Sequence, residues 1–135
     1  MVIEQSAVVP YLVELGKLHV VLVTSSSRNG WVIPKGIIED DMTPQESAMR
    51  EAWEEAGITG AISGGMIAEY SYKKWGSVCR VQVFPMEVDE ILDTWEEADF
   101  RERTIVPVQE AIRMAKPRLT DSLNAFFEKF RWLER

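Results

Sequence analysis

The chain has 135 residues, of which 46% are hydrophobic and 27% are charged, so we expect one folded domain over residues 1–135 rather than a disordered chain. The formal net charge of −7 argues against a nucleic-acid partner held by diffuse positive charge, although a few convergent cations would still allow a phosphate ligand. No apolar run is long enough to cross a membrane and the first ten residues lack the features of a signal peptide, so we expect no membrane partner and a cytoplasmic location.

Five runs rich in Val, Ile and aromatic residues predict β-strands. The turn Leu15-Gly16-Lys17 joins the first two runs into a hairpin, and the polar segment 25–30 follows them as a loop. Cys79 lies within the fifth run, where we expect a small core residue without a chemical role. The predicted strands are residues 7–14, 17–24, 31–33, 66–73 and 78–88.

Three helices are predicted, at residues 44–56, 108–115 and 120–133. Strands and helices mixed in this order, with hairpins instead of regular alternation, predict an α+β layered domain with a mixed sheet. The last helix has apolar residues at helical spacing, which is typical of a face that packs in the core. These residues are Leu123, Phe126, Phe127, Phe130 and Leu133.

The helix at residues 44–56 has well-marked ends. Thr43 is placed as the N-cap, Pro44 occupies the first helical position, and Glu46 is spaced to complete a capping box. Gly57 supplies the stop, since a glycine there can adopt the left-handed conformation that closes a helix. The predicted apolar stripe comprises Ala48, Met49, Ala52, Trp53 and Ala56.

Three carboxylates, on Glu51, Glu54 and Glu55, project from the other side of this helix. On a solvated face, like charges one turn apart cost only about 0.2 to 0.5 kcal/mol, so an ordinary wet surface is one interpretation. Inside a cleft, two carboxylates about 6 Å apart would repel by roughly 3 kcal/mol. The second interpretation is therefore a site for a divalent cation with oxygen ligands, Mg²⁺ first and Mn²⁺ second.

The spacing from Gly36 through Arg50-Glu51 and Glu54-Glu55 to Gly57-Ile58 closely resembles the Nudix box, over 23 residues. The resemblance implies a Nudix-type α/β/α sandwich with a mixed β-sheet. One position departs from the pattern, since Met42 stands where the box has its first Glu. In the family that Glu mainly supports the loop and pairs with the Arg of the box. Candidates to replace it as a partner of Arg50 are Asp40, Asp41 and Glu46.

The resemblance extends beyond the box, over roughly residues 18–127. Within the Nudix family the chain looks most like the diphosphoinositol polyphosphate phosphohydrolases, which also cleave diadenosine polyphosphates. The segments that carry the likeness are VLVTSSSRNGWVIPKG, VDEILDTWEE, RERTIVPVQEAI and KPRLTDS. The implied activity is Mg²⁺-dependent hydrolysis of phosphoanhydride bonds in substrates that contain a nucleoside or inositol diphosphate group.

The resemblance also implies roles for the residues of the box. Glu51 and Glu55 would hold Mg²⁺ together with a main-chain carbonyl near Gly36, and Mn²⁺ would substitute. Glu54 would position or deprotonate the attacking water as the catalytic base. Arg50 would orient the glutamates without touching substrate.

Basic residues on the flanks are candidate contacts for a small polyphosphate substrate, although a solvated surface is the ordinary interpretation of each one alone. Arg118 belongs to the same basic segment as two of them, and Glu96 or Glu97 would be a further metal ligand from a loop. The predicted substrate contacts are Arg28, Lys35, Arg101, Arg103 and Lys116.

Two other functions stay open at this point. One is a Nudix pyrophosphatase acting on nucleotide sugars or other nucleotides. The other is a catalytically silent Nudix-like domain that binds a polyphosphate, with Met42 as the trace of lost activity. The sequence fits either a monomer or a homodimer.

Overall fold

An eight-stranded mixed sheet forms the centre of the protein in the computed structural model, which describes residues 1–62 and 64–135. The strands are β1 (Val2–Glu14), β2 (Lys17–Thr24), β3 (Trp31–Val32), β4 (Lys35–Ile37), β5 (Ile58–Ile62), β6 (Ala68–Lys74), β7 (Ser77–Ile91) and β8 (Arg103–Pro107). The helices are α1 (Pro44–Ala56), α2 (Val108–Met114) and α3 (Thr120–Phe130), with short 3-10 turns at Pro117–Leu119 and Arg131–Leu133. The mixed sheet confirms the predicted α+β class.

The two long strands β1 and β7 lie side by side in parallel and organise the sheet. On its other edge β1 pairs antiparallel with β2 and with β4, while β7 pairs antiparallel with β6 along its first half and β5 along its second. The register brings Gln5 of β1 beside Ile37 of β4 and Val81 of β7, which in turn faces Tyr70 of β6. Side chains from β4, β1 and β6 can therefore meet at this end of the sheet.

Each face of the sheet carries its own apolar core, because alternate residues of a strand point to opposite faces. On one face, residues such as Val9 and Val20 pack with the buried side chains of α2 and α3, including Leu123 and Phe126. On the other face, Val8, Val21 and Met86 pack with the buried alanines of α1, which are Ala48, Ala52 and Ala56. The predicted α/β/α sandwich is thus confirmed.

The capping signals around α1 are confirmed in detail. The Thr43 hydroxyl accepts a hydrogen bond from the Glu46 amide at 3.1 Å, and the Glu46 carboxylate accepts one from the Thr43 amide at 2.9 Å. Gly57 closes the helix in the left-handed region, with φ of 64°. The predicted apolar stripe was wrong at Trp53, whose side chain is 48% exposed, whereas the three alanines are buried and Met49 packs against the same cluster.

Strand boundaries differ from the prediction at several points. The hairpin is confirmed, with Glu14 paired to Lys17 across the turn at Leu15 and Gly16. β1 begins at Val2 rather than residue 7, because its first residues pair with β7, and no local pattern reveals a partner so distant in sequence. The short strands β4, β5 and β8 were missed because three to five residues give too few alternations to detect.

The predicted helices are confirmed, with the last one ending in a 3-10 turn from Arg131 to Leu133. Cys79 is buried in β7 as expected. Within residues 1–62 and 64–135, none of the helices has the length and apolar character needed to span a bilayer.

Replacing Phe126 by Ala should lower the free energy of unfolding by about 3 to 5 kcal/mol, since the ring is fully buried. Its centroid lies 5.3 Å from that of Tyr11 and 5.1 Å from that of Phe130, so truncation leaves a cavity between aromatic neighbours. Urea unfolding followed by circular dichroism measures the change. Trp132→Ala, at a side chain that is 74% exposed, should change stability by no more than about 0.5 kcal/mol. Equal losses in the two variants would contradict this account of the core.

Candidate active site

A cleft of about 540 Å³ opens where α1, β4 and β6 come together. Its acidic residues include Glu51 and Glu55 of α1, and the polar loop after β2 contributes Ser25 to Ser27. The other charged lining residues are mostly cations, from β4, β6, the segment before β8 and the segment that follows α2. These cations are Lys35, Lys73, Lys74, Arg101, Lys116 and Arg118.

Glu55 is a carboxylate within the protein interior, only 6% exposed, so the wet-face interpretation of the helix is wrong at this residue. One oxygen accepts a hydrogen bond from the Lys35 amide at 3.3 Å, and the other lies 3.9 Å from the Arg101 guanidinium. Burial raises the pKa of Glu55 to about 9, the Arg101 charge opposes that rise, and the hydrogen bond with Glu51 adds to it. At neutral pH, this pair of glutamates therefore retains a proton in the metal-free protein.

Glu51 packs directly against the backbone of Gly36. A Cβ atom added at Gly36 would lie 2.3 Å from the Cδ atom of Glu51, which is closer than non-bonded atoms approach. Burial also raises the pKa of Glu51. The missing side chain at Gly36 is therefore what allows the Glu51 carboxylate to lie against the main chain of β4.

Glu54 projects beside the cleft and pairs with Arg50 at 3.0 Å along the helix. Its carboxylate also lies close to those of Glu96 and Glu97, since the three offer oxygen atoms within 4.8 Å of one another. Glu46 does not serve as the partner of Arg50, because its carboxylate completes the capping box. In the part of the chain that the structure describes, Glu54 fills that position, which corrects the three candidates suggested by sequence.

The segment from Asp93 to Glu102 fastens the C-terminal end of α1. The indole of Trp95 donates a hydrogen bond to the Glu55 carbonyl at 2.9 Å, and a Cβ atom at Gly57 would lie 2.7 Å from Trp95. The Glu97 amide donates to the Glu54 carbonyl at 3.1 Å. The two glutamates near the end of the helix are thus held through their backbone carbonyls.

Two of the predicted substrate contacts do not line the cleft, and bind backbone carbonyls of α1 and of the segment from Asp93 to Glu102 instead. Arg103 donates to the Ala56 carbonyl at 2.7 Å, and its guanidinium carbon lies 4.2 Å from the centre of the Trp95 ring. Arg28 donates to the carbonyl of Phe100 at 3.0 Å. Both guanidinium groups bind main-chain oxygens of neighbouring segments, a use that composition alone does not reveal.

The other three predicted contacts line the cleft. Arg101 donates to the Glu97 carboxylate at 2.5 Å and to the Thr24 carbonyl at 2.8 Å, so it is fixed among the glutamates. Lys35 and Lys116 lie among the other cations of the cleft. Burial lowers the pKa of each, and the Glu55 charge opposes that shift at Lys35. The structure thus brings Lys35, Arg101 and Lys116 to one cavity with Glu51 and Glu55.

Sequence reasoning missed the contribution of β6. Tyr70, Tyr72 and Lys74 alternate along the strand and line the cleft together. Gln5 of β1 also lines it, and its side chain is buried. The alternating spacing of these three β6 residues predicts that they share one face of the strand. It does not show that this face lines a cleft, because that depends on the pairing of β6 with β7.

The donor set around α1 fits a hard divalent cation. All candidate ligands are oxygens, from Glu51, Glu55 and the backbone at Gly36, with Glu54 and Glu97 nearby. Carboxylate and carbonyl oxygens are the ligands that Mg²⁺ and Mn²⁺ prefer. A divalent ion bound between Glu51 and Glu55 would replace the proton that they share and neutralise both carboxylates.

The chain belongs to the Nudix family, since the family profile described as the NUDIX domain matches residues 4–130. Nudix hydrolase 13, mitochondrial, from Arabidopsis thaliana is 36% identical over 110 residues, covering 74% of this chain and 54% of that protein. Diphosphoinositol polyphosphate phosphohydrolase 3-alpha from Mus musculus is 33% identical over 100 residues, covering 70% and 58%. The chain spans about half the length of the curated relatives it matches.

Solved structures show the same fold. The C. elegans Ap4A hydrolase in a binary complex matches with a TM-score of 0.82 at 21% identity, covering 96% of this chain and 98% of that one. The E. coli ORF135 protein matches with a TM-score of 0.72 at 21% identity, covering 94% and 89%. At these identities the likeness establishes the fold alone.

Replacing Gly36 by Ala should weaken Mn²⁺ binding by at least about tenfold, because the new methyl group must displace the Glu51 carboxylate from the backbone. Titration of Mn²⁺ followed by electron paramagnetic resonance measures the affinity without any substrate. Gly65→Ala is a matched control, since a Cβ atom there would meet nothing within 4 Å. Wild-type Mn²⁺ affinity in the Gly36 variant would contradict the role given to this contact.

The stability of the metal-free protein should fall as pH rises between 4.5 and about 9, because the folded state keeps a proton on Glu55 that the unfolded chain releases. Because the pKa of Glu55 is higher in the folded state, the bound proton contributes its full stabilisation below the unfolded pKa. That contribution is lost as pH rises through the folded pKa. Urea unfolding in EDTA at several pH values measures the slope. Glu55→Gln should flatten it over the same interval, and an unchanged slope would show that Glu55 releases its proton normally.

Proposed function

We propose that this chain is a Mg²⁺-dependent hydrolase of phosphoanhydride bonds, acting on diphosphoinositol polyphosphates or diadenosine polyphosphates. The observation that carries the proposal is that buried Glu55 and half-buried Glu51 lie in one cleft with a group of cations. A metal-bridged polyphosphate is the ligand class that uses both halves, because its oxygens bind the metal and its remaining charge binds the cations.

Glu51, Glu55 and the carbonyl near Gly36 would hold Mg²⁺ in this proposal, with Mn²⁺ able to substitute. When bound, the ion supplies charge neutralisation at the phosphate oxygens and acidifies water. The protein's own contribution is to fix the ligands beforehand. The capping box fixes the start of α1, and Trp95 fixes its end through the Glu55 carbonyl.

Glu54 is the proposed catalytic base. It lies one residue before the buried Glu55 on the helix, and its carboxylate is accessible enough to reach a water molecule while Arg50 holds it at 3.0 Å. Deprotonating or orienting the attacking water is the step assigned to it. Arg50 remains a positioning residue, since its contact is with Glu54.

Lys35, Lys116 and Arg101 are the proposed contacts for substrate phosphates. Their donors face a polyanion that carries several acceptor oxygens, and charge-assisted hydrogen bonds of this type are stronger than neutral ones. We assign Arg28 and Arg103 to the frame of the cleft instead, on the basis of their hydrogen bonds to backbone carbonyls.

The proposed substrate class is that of a relative, the diphosphoinositol polyphosphate phosphohydrolase that is 33% identical to this chain. We extend that chemistry to this chain as part of the proposal. The proposal also includes a single domain over residues 1–135, a cytoplasmic location, a monomeric or homodimeric state and no nucleic-acid or membrane partner.

A substrate panel with and without Mg²⁺ tests the function. Orthophosphate released from a diphosphoinositol polyphosphate, or ATP released from diadenosine hexaphosphate, would support it, and EDTA should abolish either reaction. Cleavage of ADP-ribose or another nucleotide sugar alone would replace it with the pyrophosphatase alternative. Tight polyphosphate binding without any turnover would instead identify a silent binding domain.

In the same assay, Glu54→Gln should lower kcat by at least about 100-fold, in line with the contribution of a general base. The matched control is Glu128→Gln, an identical change on the surface of α3, where the carboxylate pairs only with Arg131 among described residues. Its kcat should equal that of the wild type. Unchanged turnover in the Glu54 variant would remove this residue from the mechanism.

A further inference from the structure

One serine hydroxyl in the protein interior has no hydrogen-bond partner. Within residues 1–62 and 64–135, the hydroxyl of Ser6 is the single buried side-chain nitrogen or oxygen atom left without one, and the residue is fully buried. A buried hydroxyl has lost its hydrogen bonds to water, so leaving it unpaired destabilises the folded state. Buried polar groups are nearly always paired, and an unpaired one marks a position where a ligand, a water molecule or a shift of a neighbour completes the pairing.

The backbone fixes Ser6 beside Gly36. The two residues lie directly opposite each other in the antiparallel pairing of β1 with β4. Next to them in the ladder, the Val8 amide donates a hydrogen bond to the Pro34 carbonyl at 3.1 Å. Because hydrogen-bonded pairs recur at every second residue of an antiparallel ladder, Ser6 and Gly36 exchange two backbone hydrogen bonds, with their α-carbons about 5.5 Å apart.

The Ser6 side chain points to the face of the sheet that α1 covers. Val8, two residues further along β1, packs on that face with the buried alanines of α1. Residues directly opposite each other in an antiparallel pair also share a face. The space for a side chain at Gly36 is filled by the Glu51 carboxylate. The Glu51 carboxylate is therefore the cross-strand neighbour of the Ser6 hydroxyl.

Glu51 makes its present hydrogen bond along the helix. Its carboxyl group is hydrogen-bonded to that of Glu55, one turn away on α1. Ser47, the buried serine of the same helix, directs its hydroxyl to the Ile37 carbonyl at 3.1 Å and so does not donate to Glu51. A carboxylate offers about four lone-pair sites, so Glu51 can accept a further hydrogen bond while it binds a cation.

We propose that Ser6 is a positioning residue for the metal ligand Glu51: its hydroxyl donates a hydrogen bond to the Glu51 carboxylate when a divalent cation replaces the contact with Glu55. This inference rests on the cation site of the proposed function and adds to it a residue that does not line the cleft. Carboxylates that bind a metal are generally held by an outer hydrogen bond of this kind, which fixes the oxygen that faces the ion. Ser6 thereby holds two of the proposed ligands, Gly36 through its backbone and Glu51 through its side chain.

Replacing Ser6 by Ala should weaken Mn²⁺ binding by at least about tenfold, the usual effect of losing a hydrogen bond to a metal ligand. Electron paramagnetic resonance of Mn²⁺ measures this affinity without any substrate. Ser6→Thr keeps the hydroxyl and suits a strand, so it should recover most of the wild-type affinity. Weak Mn²⁺ binding by a Ser6→Thr variant with an unchanged unfolding curve would contradict a role for the hydroxyl.

Ser122→Ala is the matched control, because it makes the same change at a buried serine of α3, on the opposite face of the sheet. Its Mn²⁺ affinity should equal that of the wild type, and an equal loss in the two alanine variants would overturn the proposal.

Stability in EDTA distinguishes positioning from a structural role. Ser6→Ala should unfold at the same urea concentration as the wild type or at a higher one, because the hydroxyl that it removes is unpaired. A serine with a structural role alone would give the reverse pattern, which is earlier unfolding in EDTA with wild-type Mn²⁺ affinity. That pattern would also overturn the proposal.

Hydrolysis assays on the same variants separate this inference from the proposed function. If Ser6→Ala binds Mn²⁺ more weakly than the wild type but neither protein hydrolyses a phosphoanhydride, the role of Ser6 stands and the hydrolase proposal falls. If the wild type is active and Ser6→Ala keeps its full Mn²⁺ affinity, the hydrolase proposal stands and the role of Ser6 falls. A wild type that binds no Mn²⁺ would overturn both.

Discussion

The close approach of the Glu51 carboxylate to the backbone of Gly36 is the constraint on which the site depends. It requires α1 to lie directly over β4, and α1 can lie there only because three alanines face the sheet. That position buries Glu55 beside Glu51, where the cost of two charges is met by a shared proton, by Arg101 or by a metal. The packing of small apolar residues thus decides the electrostatics of the cleft.

The parts of this arrangement that follow local rules could be predicted from the sequence. The capping box, the glycine stop and the spacing of the glutamates located α1 residue by residue, because each depends on neighbours within a few positions. The hairpin at Leu15 and Gly16 was accessible for the same reason. Local rules failed at Trp53, where helical periodicity indicated burial but the side chain is half exposed.

Residues whose roles depend on distant segments could not be assigned from the sequence. Arg103 and Arg28 carry the cationic side chain expected of a phosphate ligand, yet each binds a backbone carbonyl of a segment that is distant in sequence. Tyr72 was not singled out at all, since nothing around it in sequence indicates that Gln5, Lys35 and Arg118 meet at its side chain. The meeting at Tyr72 follows from the parallel pairing of β1 with β7, which joins segments more than 70 residues apart, and Arg103 is placed by the pairing of β8 with β2.

Gly57 meets two independent demands, one from the left-handed helix end and one from the indole of Trp95 packed against its α-carbon. Asn tolerates the left-handed conformation, but its side chain would still collide with the indole. Mutational tolerance at this position should therefore be narrower than at an ordinary helix terminus. A substitution at the end of α1 would consequently displace the loop that carries Trp95, Glu96 and Glu97, because the indole occupies the space beside Gly57.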